Sequence, residues 1–309
     1  MTMDMNAIIN QMLVLLILLL VGVLAAKTGI IDRETNRRLT NFALMIPQTC
    51  MILGSVLNVE LELTPMKILG VMGAGCAMYA ILVLVSFLVP VIYRCKPGDK
   101  GIYSFMTIFG NVGFMGFPVV SAIFGSTGLF YASLMNIHFN TLAYSLGISL
   151  LGSKNGKTKI EWKRLINPPL VAALLSVLIV CFRIRVPQPV AEAVGMMGDM
   201  IVPCSMIIIG SSLGNQKFSE VFGDWHSYAF APMRLLAVPV LLWAVLRLFI
   251  HDPILLGTMT ILGGMPVAAF ATMLSIQYGG NEQIASRTVF VTTVLSVVTI
   301  PLLCWLLPL

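Results

Sequence analysis

Long apolar stretches of helix length follow one another along almost the whole sequence, and this feature limits the fold more than any other. A membrane-spanning helix needs about 20 mostly apolar residues, whereas barrel strands are shorter and alternate with period two. Such alternation is absent here. The stretches lie at about 6–26, 39–57, 68–93, 102–124, 128–151, 168–182, 189–213, 227–250, 254–277 and 284–307. We therefore predict an all-α membrane protein with ten transmembrane helices, named spans 1 to 10 below.

The composition excludes an ordinary soluble enzyme. Hydrophobic residues make up 58% of the 309-residue chain and charged residues only 10%, against roughly 25% charged residues in an average soluble domain. The bases behind the net charge of +6 lie between the apolar stretches, so we expect contact with the lipid bilayer and no nucleic-acid partner. Cysteines occur singly and the histidines are scattered, at His138, His226 and His251. This pattern indicates no metal site, no cofactor and no catalytic nucleophile.

The distribution of lysine and arginine predicts the orientation in the membrane. The odd-numbered loops between spans hold 14 of these residues and the even-numbered loops hold 4. Because cytoplasmic loops are richer in basic residues, both termini should face outside and the basic linker at 153–166 should be cytoplasmic. The residues before span 1 include Asp4 and no base, unlike a cleaved signal peptide, so span 1 should be retained. The expected location is the cell inner membrane.

A weak internal repeat divides the chain at this linker. Adding 156 to positions in span 2 places four residues on identical residues in span 7: Pro47, Gly54, Ser55 and Leu57 fall on Pro203, Gly210, Ser211 and Leu213. Two halves with five spans each must have opposite orientations in the membrane, as in inverted-repeat transporters. We therefore predict a first repeat at 1–152 and a second repeat at 167–309.

The stretch FGNVGFMGFPVV at 109–120 interrupts span 4. Four helix-breaking residues lie within it: Gly110, Gly113, Gly116 and Pro118. Each glycine costs a helix about 1 kcal/mol and proline about 3 kcal/mol, and non-helical backbone inside a membrane persists only where it lines a cavity or is buried in protein. The break should offer free N–H groups and a positive helix end to an anion, and the Asn111 amide can donate to a carboxylate. Alternatively, the glycines only allow close helix packing.

Span 9 carries a similar stretch, LGGMPVAAF at 262–270, in which Gly263, Gly264 and Pro266 interrupt the apolar run. A pair of interrupted spans at corresponding positions of two halves is the best sequence indication of a transporter's substrate site. We therefore predict that both stretches belong to one anion-binding site.

Four motifs, taken together, resemble one family of membrane transporters. They are N-x-G-F-x-G-x-P from Asn111 to Pro118, the sequence Asn167-Pro168-Pro169 opening span 6, Asp199 followed by Gly210 in span 7, and Arg234 followed by Pro239 in span 8. Their order and spacing resemble the auxin efflux carrier family, which includes plant auxin exporters and bacterial permeases for malate, malonate and similar acids. The resemblance covers nearly the whole chain. The long hydrophilic central loop of the plant members is absent, which favours a bacterial organic-acid carrier.

The resemblance implies a specific architecture. Spans 4 and 9 would unwind and cross near the membrane centre. Spans 1, 2, 6 and 7 would form a scaffold that pairs with a second subunit as a homodimer, and spans 3–5 and 8–10 would form a transport domain that moves like an elevator. By position, Asn111 would meet the substrate carboxylate and Pro118 would be the crossover proline. The second crossover proline and asparagine of plant carriers correspond to Ala271 and Gly264, so span 9 would bind the anion through backbone N–H groups.

Two ionisable residues, Asp199 and Arg234, lie well inside spans, and Glu192 and Arg287 lie near span ends. Arg234 costs roughly 2.5–3.5 kcal/mol there on insertion scales, so it should have a partner or a cavity. It either attracts the anionic substrate or is a structural residue that contacts a partner or carbonyl groups. Asp199 is the candidate proton carrier, or else a hydrogen-bonded structural acid. Export of an anion from an inside-negative cell needs no coupling ion, and the sequence identifies neither a proton site nor a sodium site.

Other polar residues fall into patterns. Span 5 presents one polar helix face, which either completes the site or joins helices: Ser133, Asn136, Asn140 and Tyr144. The polar stripe of span 10 is interpreted as packing: Thr292, Ser296 and Thr299. Asn167 should cap the helix of span 6, with Pro168 at its first position.

The sequence thus predicts a secondary transporter of small organic anions such as malate or malonate, or of auxin-like acids. The predicted substrate site comprises Asn111, Gly113, Pro118, Asn136, Asn140, Gly264, Pro266 and Ala271, with Arg234 and Asp199 as charge or coupling residues. The alternative is a membrane receptor that binds such an anion and keeps the carrier fold. A receptor should carry an attached soluble domain or long tail, whereas this sequence stops at Leu309, directly after span 10.

Overall fold

A computed structural model of the chain describes residues 5–57, 64–152, 167–215 and 225–307. The predicted cytoplasmic linker at 153–166 lies outside the described residues. In those residues the regular structure is helical, and the one β-type pairing is a bridge between Gly110 and Val267. The prediction of an all-α fold is therefore confirmed.

The α-helices are numbered in chain order. Their bounds are α1 Met5–Lys27, α2 Arg33–Met45, α3 Pro47–Leu57, α4 Pro65–Ile92, α5 Lys100–Ile108, α6 Phe117–Leu142, α7 Ile148–Leu151, α8 Pro168–Phe182, α9 Gln188–Asp199, α10 Ile201–Gly214, α11 Trp225–Pro232, α12 Val238–Leu246, α13 Pro253–Gly263, α14 Phe270–Tyr278 and α15 Glu282–Leu306. Short π-helices, which widen the helical turn, lie at Val112–Gly116, Ala143–Gly147 and Met233–Ala237.

Several helical segments suit a lipid bilayer. Six in the described ranges are long and apolar enough to cross it: Arg33–Leu57, Pro65–Ile92, Val112–Leu151, Gln188–Gly214, Tyr228–Leu246 and Glu282–Leu306. Shorter apolar helices lie at Leu13–Lys27, Pro168–Phe182 and Pro253–Gly263. The chain is thus a membrane protein with several spans, while the number ten stays a prediction.

Local sequence explains where helices begin and turn. The Asn167 side chain accepts a hydrogen bond from the Leu170 N–H at 3.0 Å and Pro168 occupies the first turn, so the predicted cap of α8 is confirmed.

Gly125 has positive φ (φ 64°, ψ −156°) and interrupts the helical backbone of α6. Glycine adopts this conformation without a Cβ clash, and Gly125 follows the predicted end of span 4.

The described chain divides into two compact units. The first comprises Met1–Met72, Gly113–Leu134 and Ile166–Lys217. Within it α1 packs along α10, and α3 packs on α8 and α9. A Cβ atom on Gly22 would collide with the carbonyl of Ile207, and one on Gly210 would collide with the carbonyl of Leu19. Glycine at both positions therefore brings the backbones of α1 and α10 together.

The second unit comprises Gly73–Val112, Met135–Leu165 and Phe218–Leu309. Within it α12 packs on α13, and α14 packs on α15. Aromatic rings fill its interior: Phe109 lies 4.6 Å from Phe105 and 5.4 Å from Phe139 between ring centroids. This unit holds residues 109–112 of the first glycine-rich stretch and all of the second.

Candidate functional site

The first glycine-rich stretch ends a helix. α5 stops at Ile108, and Phe109 has an extended backbone (φ −102°, ψ 97°). Helical structure resumes as the π-helix Val112–Gly116. Gly110 disfavours continuation of the helix, because glycine loses more backbone conformational entropy than other residues when it becomes helical.

The second stretch has a matching break. α13 stops at Gly263, and α14 begins at Phe270. Pro266 lies between them and has no N–H with which to continue the helical hydrogen bonds.

The two breaks are hydrogen-bonded to each other. The Asn111 N–H donates to the Pro266 carbonyl at 2.7 Å, and the Ala268 N–H donates to the Phe109 carbonyl at 3.3 Å. These bonds flank the antiparallel bridge between Gly110 and Val267. Two interrupted segments far apart in sequence thus form one short backbone ladder inside the second unit.

This pairing corrects one expectation from the sequence. We expected the breaks to leave backbone N–H groups free for an anion, but the Asn111 and Ala268 N–H groups are used in the ladder. The Val112 N–H donates to the Gly110 carbonyl at 2.9 Å, and the Val267 N–H donates to the Thr292 hydroxyl at 3.1 Å. Buried backbone donors are almost always satisfied, and here the protein itself satisfies these four. The Asn111 side chain is buried at the first break, and its role as a donor to the substrate stays a prediction.

The Arg234 side chain contacts the ends of both helices that precede the two glycine-rich stretches. Its Nε donates to the Met106 carbonyl at 3.1 Å, and its Nη1 donates to the Gly263 carbonyl. The side chain is fully buried and starts from the π-helix Met233–Ala237. Arg234 thus makes the contacts with carbonyl groups that we expected of a structural residue. Attraction of the substrate by Arg234 stays a prediction.

Thr292 has a contact that sequence reasoning missed. We interpreted its stripe as packing, yet its hydroxyl accepts from the Val267 N–H and donates to the Thr288 carbonyl at 2.7 Å. The sequence shows a threonine at this position but not that its hydroxyl faces Val267, because that contact depends on the tertiary structure.

The polar face of span 5 is largely satisfied by its own helix. The Asn140 amide donates to the Asn136 carbonyl at 2.9 Å, and the Ser133 hydroxyl donates to the Phe130 carbonyl at 2.7 Å. Asn136 is buried. The Tyr144 ring packs edge-on against Phe270, 5.4 Å between centroids, so the end of this face reaches the start of α14. A role of Asn136 and Asn140 in substrate binding stays a prediction.

The remaining predicted residues lie in both units. Gly264 and Ala271 are buried in the second unit, where a Cβ atom on Gly264 would lie 3.4 Å from the Pro239 side chain. Gly113, Pro118 and Asp199 belong to the first unit. Asp199 is exposed at the end of α9. Their roles in binding or coupling stay predictions.

Gln48 in the first unit is a buried polar residue that the sequence did not single out. It is 3% exposed, and its Oε1 has no hydrogen-bond partner among the described residues. Its Nε2 would lie 2.8 Å from a Cβ atom on Gly113, so glycine there makes room for this amide. A glutamine directly after Pro47 at the start of α3 was the only signal in the sequence.

Side chains that could ligate a metal ion come close together only as a pair in the described residues of the second unit. Within the described ranges no three His, Cys, Asp or Glu side chains come together to hold a metal ion. Cys76 Sγ and His138 Nε2 lie 3.3 Å apart, which is a pair and not a set of ligands.

The helical fold and the several long apolar helices of the described residues are those of an integral membrane protein. The sequence matches the family described as "Membrane transport protein" over residues 7–162 and 157–304. The chain therefore belongs to this family, the auxin efflux carrier family. The prediction of a membrane transporter rather than an enzyme is confirmed.

The chain is also similar to individual transporters. It is 24% identical over 308 residues to an uncharacterized transporter of Methanocaldococcus jannaschii, which covers 96% of this chain and 98% of the relative. It is 30% identical over 198 residues to an uncharacterized transporter of Methanothermobacter thermautotrophicus, covering 62% and 63%. It is 23% identical over 238 residues to a protein of Rhizobium meliloti named "Putative malonate transporter", covering 74% of each chain.

Proposed function

We propose that the protein is a secondary transporter of small organic anions, in particular short dicarboxylates such as malonate or malate, and that it works by elevator-type alternating access. Membership of a membrane transporter family supports transport. The name of the Rhizobium meliloti relative supports a dicarboxylate substrate.

The observation that carries the proposal is the backbone ladder between residues 109–111 and 266–268. Non-helical backbone at membrane depth persists only where it is buried in protein or lines a cavity. The ladder satisfies the interrupted backbone, and helical structure starts again directly after it, at Val112 and at Phe270. The positive ends of these following segments favour an anion, and the Asn111 amide can donate to its carboxylate.

The proposed architecture has ten spans in two inverted repeats, with spans 4 and 9 broken and crossing. The scaffold consists of spans 1, 2, 6 and 7, and the transport domain of spans 3–5 and 8–10. The first compact unit contains α1–α3 and α8–α10, which supports this grouping, but it also contains Gly113–Leu134 of spans 4 and 5, which the grouping assigns to the transport domain. The scaffold would form the homodimer contact, and both termini would face outside the cell inner membrane.

Energetics allow export without a coupling ion. An anion that leaves an inside-negative cell gains about 2.3 kcal/mol per charge per 100 mV. The carrier would therefore move the anion outward as long as it can alternate between its two orientations.

Flux of labelled malonate and malate in proteoliposomes tests the function and the site. Asn111→Ala should lower flux about tenfold or more, because a hydrogen bond to a charged group contributes roughly 1.5–3 kcal/mol. Asn215→Ala is the matched control, since Asn215 donates to the Ile31 carbonyl in the first unit and should leave flux unchanged.

Two results would count against parts of the proposal. Equal flux in Asn111→Ala and wild type would remove Asn111 from the site. Binding of these acids by wild type without any flux would favour the receptor interpretation over the carrier.

A further inference from the structure

Two helices end next to each other inside the second unit. Backbone carbonyls in the last turn of a helix carry partial negative charge and lack intrahelical donors. α5 ends at Ile108 and α13 ends at Gly263. In transporters with interrupted helices, such carbonyls commonly coordinate the coupling cation.

In this protein a side chain fills that position. The Nε of Arg234 donates to the Met106 carbonyl in the last turn of α5, at 3.1 Å. Its Nη1 donates to the Gly263 carbonyl, the last residue of α13. Arg234 is only 1% exposed, so one buried cation contacts the negative ends of both helices.

The charge of Arg234 is compensated by these helix ends. The ion pairs found in the described ranges are those that Glu34 forms with Arg37 and Arg38. In that part of the chain, Arg234 therefore contacts carbonyl dipoles and not a carboxylate. An ionised residue inside a span needs such compensation, and two helix C-termini provide it.

The backbone around the guanidinium is shaped to hold it. A Cβ atom on Gly110 would lie 2.5 Å from Nη2 of Arg234, so the guanidinium would have to shift to accommodate any other residue there. Glycine at position 110 thus lets the guanidinium lie directly against the first break. Pro239, five residues after Arg234, packs beside Gly264 at the second break.

We propose that the Arg234 guanidinium is a resident cation, which occupies the position of a coupling ion, so that the protein needs no sodium ion at its paired helix breaks. Arg234 is in this role a positioning residue that holds α5 and α13 together. The proposal deepens the proposed function by assigning its ion requirement. Its consequences for flux rest on that function, whereas its consequences for thermal stability do not.

Melting of the purified full chain in detergent tests the proposal. Arg234→Ala should lower the melting temperature by roughly 5–10 °C, because charged hydrogen bonds are lost. Guanidinium chloride at about 10 mM, far below the molar concentrations that unfold proteins, should restore at least half of this loss. Choline chloride at equal ionic strength should restore none.

Matched variants separate the resident cation from a general loss of packing. Arg247→Ala is the control, because Arg247 stacks over the Trp243 ring at 4.5 Å in the same unit and should show no guanidinium effect. Arg234→Lys keeps a positive charge and should melt above Arg234→Met, which has similar length without charge.

Several results would overturn the proposal. They are a folded Arg234→Ala variant that no small cation stabilises, Arg234→Lys and Arg234→Met variants that melt at the same temperature, and wild type that is stabilised by sodium chloride over choline chloride. If Arg234→Ala does not fold, the last two comparisons decide.

Flux gives an independent measurement. Wild-type malonate flux should be equal in sodium and choline buffers, and sodium-dependent flux in wild type would overturn the proposal. If wild type carries no organic anion, only the proposed function fails, because the melting experiments still test Arg234.

Discussion

Thr292 joins two parts of the second unit through one hydroxyl group. The hydroxyl accepts a hydrogen bond from the Val267 N–H at 3.1 Å and donates to the Thr288 carbonyl. Because Pro266 cannot donate and Val267 is not in a helix, this N–H needs a partner from elsewhere in the chain. A single side chain on α15 thus helps to stabilise the second helix break.

Thr292→Val should destabilise the protein by about 1–3 kcal/mol, because it leaves the buried Val267 N–H unsatisfied. Thr299→Val on the same helix is the matched control. The Thr299 hydroxyl is buried without a hydrogen-bond partner in the described part of the chain, so its replacement by a methyl group should be neutral or stabilising. Chemical denaturation of both variants measures the difference, and equal losses would contradict this role for Thr292.

Helices in this protein meet in two different ways. In the first unit, α1 and α10 approach until glycine Cα atoms face backbone carbonyls, at Gly22 and Gly210. In the second unit, α5 and α13 end and exchange backbone hydrogen bonds through the residues that follow them. Close glycine packing stabilises helices in lipid, where no hydrophobic force draws them together. Close glycine packing therefore occurs at Gly22 and Gly210, while a binding role for the glycines at 109–120 stays a prediction.

Gly210→Ala should destabilise the protein by about 1–3 kcal/mol, because its Cβ atom would push α1 and α10 apart. Gly54→Ala is the control at the corresponding position of the internal repeat. A Cβ atom on Gly54 would meet its nearest neighbour, the Gly195 Cα, at 4.0 Å. This change should therefore stabilise α3 by up to about 1 kcal/mol through helix propensity. Melting temperatures in detergent compare the two, and a stable Gly210→Ala variant would contradict the packing argument.

The whole molecule combines a membrane fold with a strong asymmetry of charge between its loops. The odd-numbered loops carry 14 of the lysine and arginine residues and the even-numbered loops carry 4. Insertion places basic loops on the cytoplasmic side. The orientation decides which loops and which end of the proposed site face the cytoplasm, whereas the membrane potential favours outward movement of the anion in either orientation.

Fusion of alkaline phosphatase after Leu309 should give active enzyme, since we expect this terminus to face outside. The same enzyme inserted after position 156 of the linker should be inactive, because a cytoplasmic location prevents its disulfides from forming. Green fluorescent protein at the same two positions should give the opposite pattern. An active phosphatase at the linker would reverse the proposed orientation.

Much of the fold follows from local patterns. The apolar stretches predicted helices across the described residues, and Asn167 with Pro168 predicted the start of α8. The glycines and prolines at 109–120 and 262–270 disfavour helix, and α5 ends at Ile108 and α13 at Gly263. That these ends are interruptions of spans 4 and 9 stays a prediction. These features depend on hydrophobicity, capping and backbone conformation, which act within a few residues.

The sequence by itself determined the membrane class, the helices, the sites of interruption and the family. Only the tertiary structure decided which groups remain available at those sites. Asn111 and Ala268 donate to the opposite break, Val267 donates to Thr292, and Arg234 lies on the carbonyls of two helix ends. The physical reason is that hydrophobicity and helix-breaking tendency belong to single segments, whereas a hydrogen-bond partner is selected by the packing of separate segments. The partners here include Val267 and Thr292, which lie 25 residues apart, and Arg234 and Met106, which lie 128 residues apart.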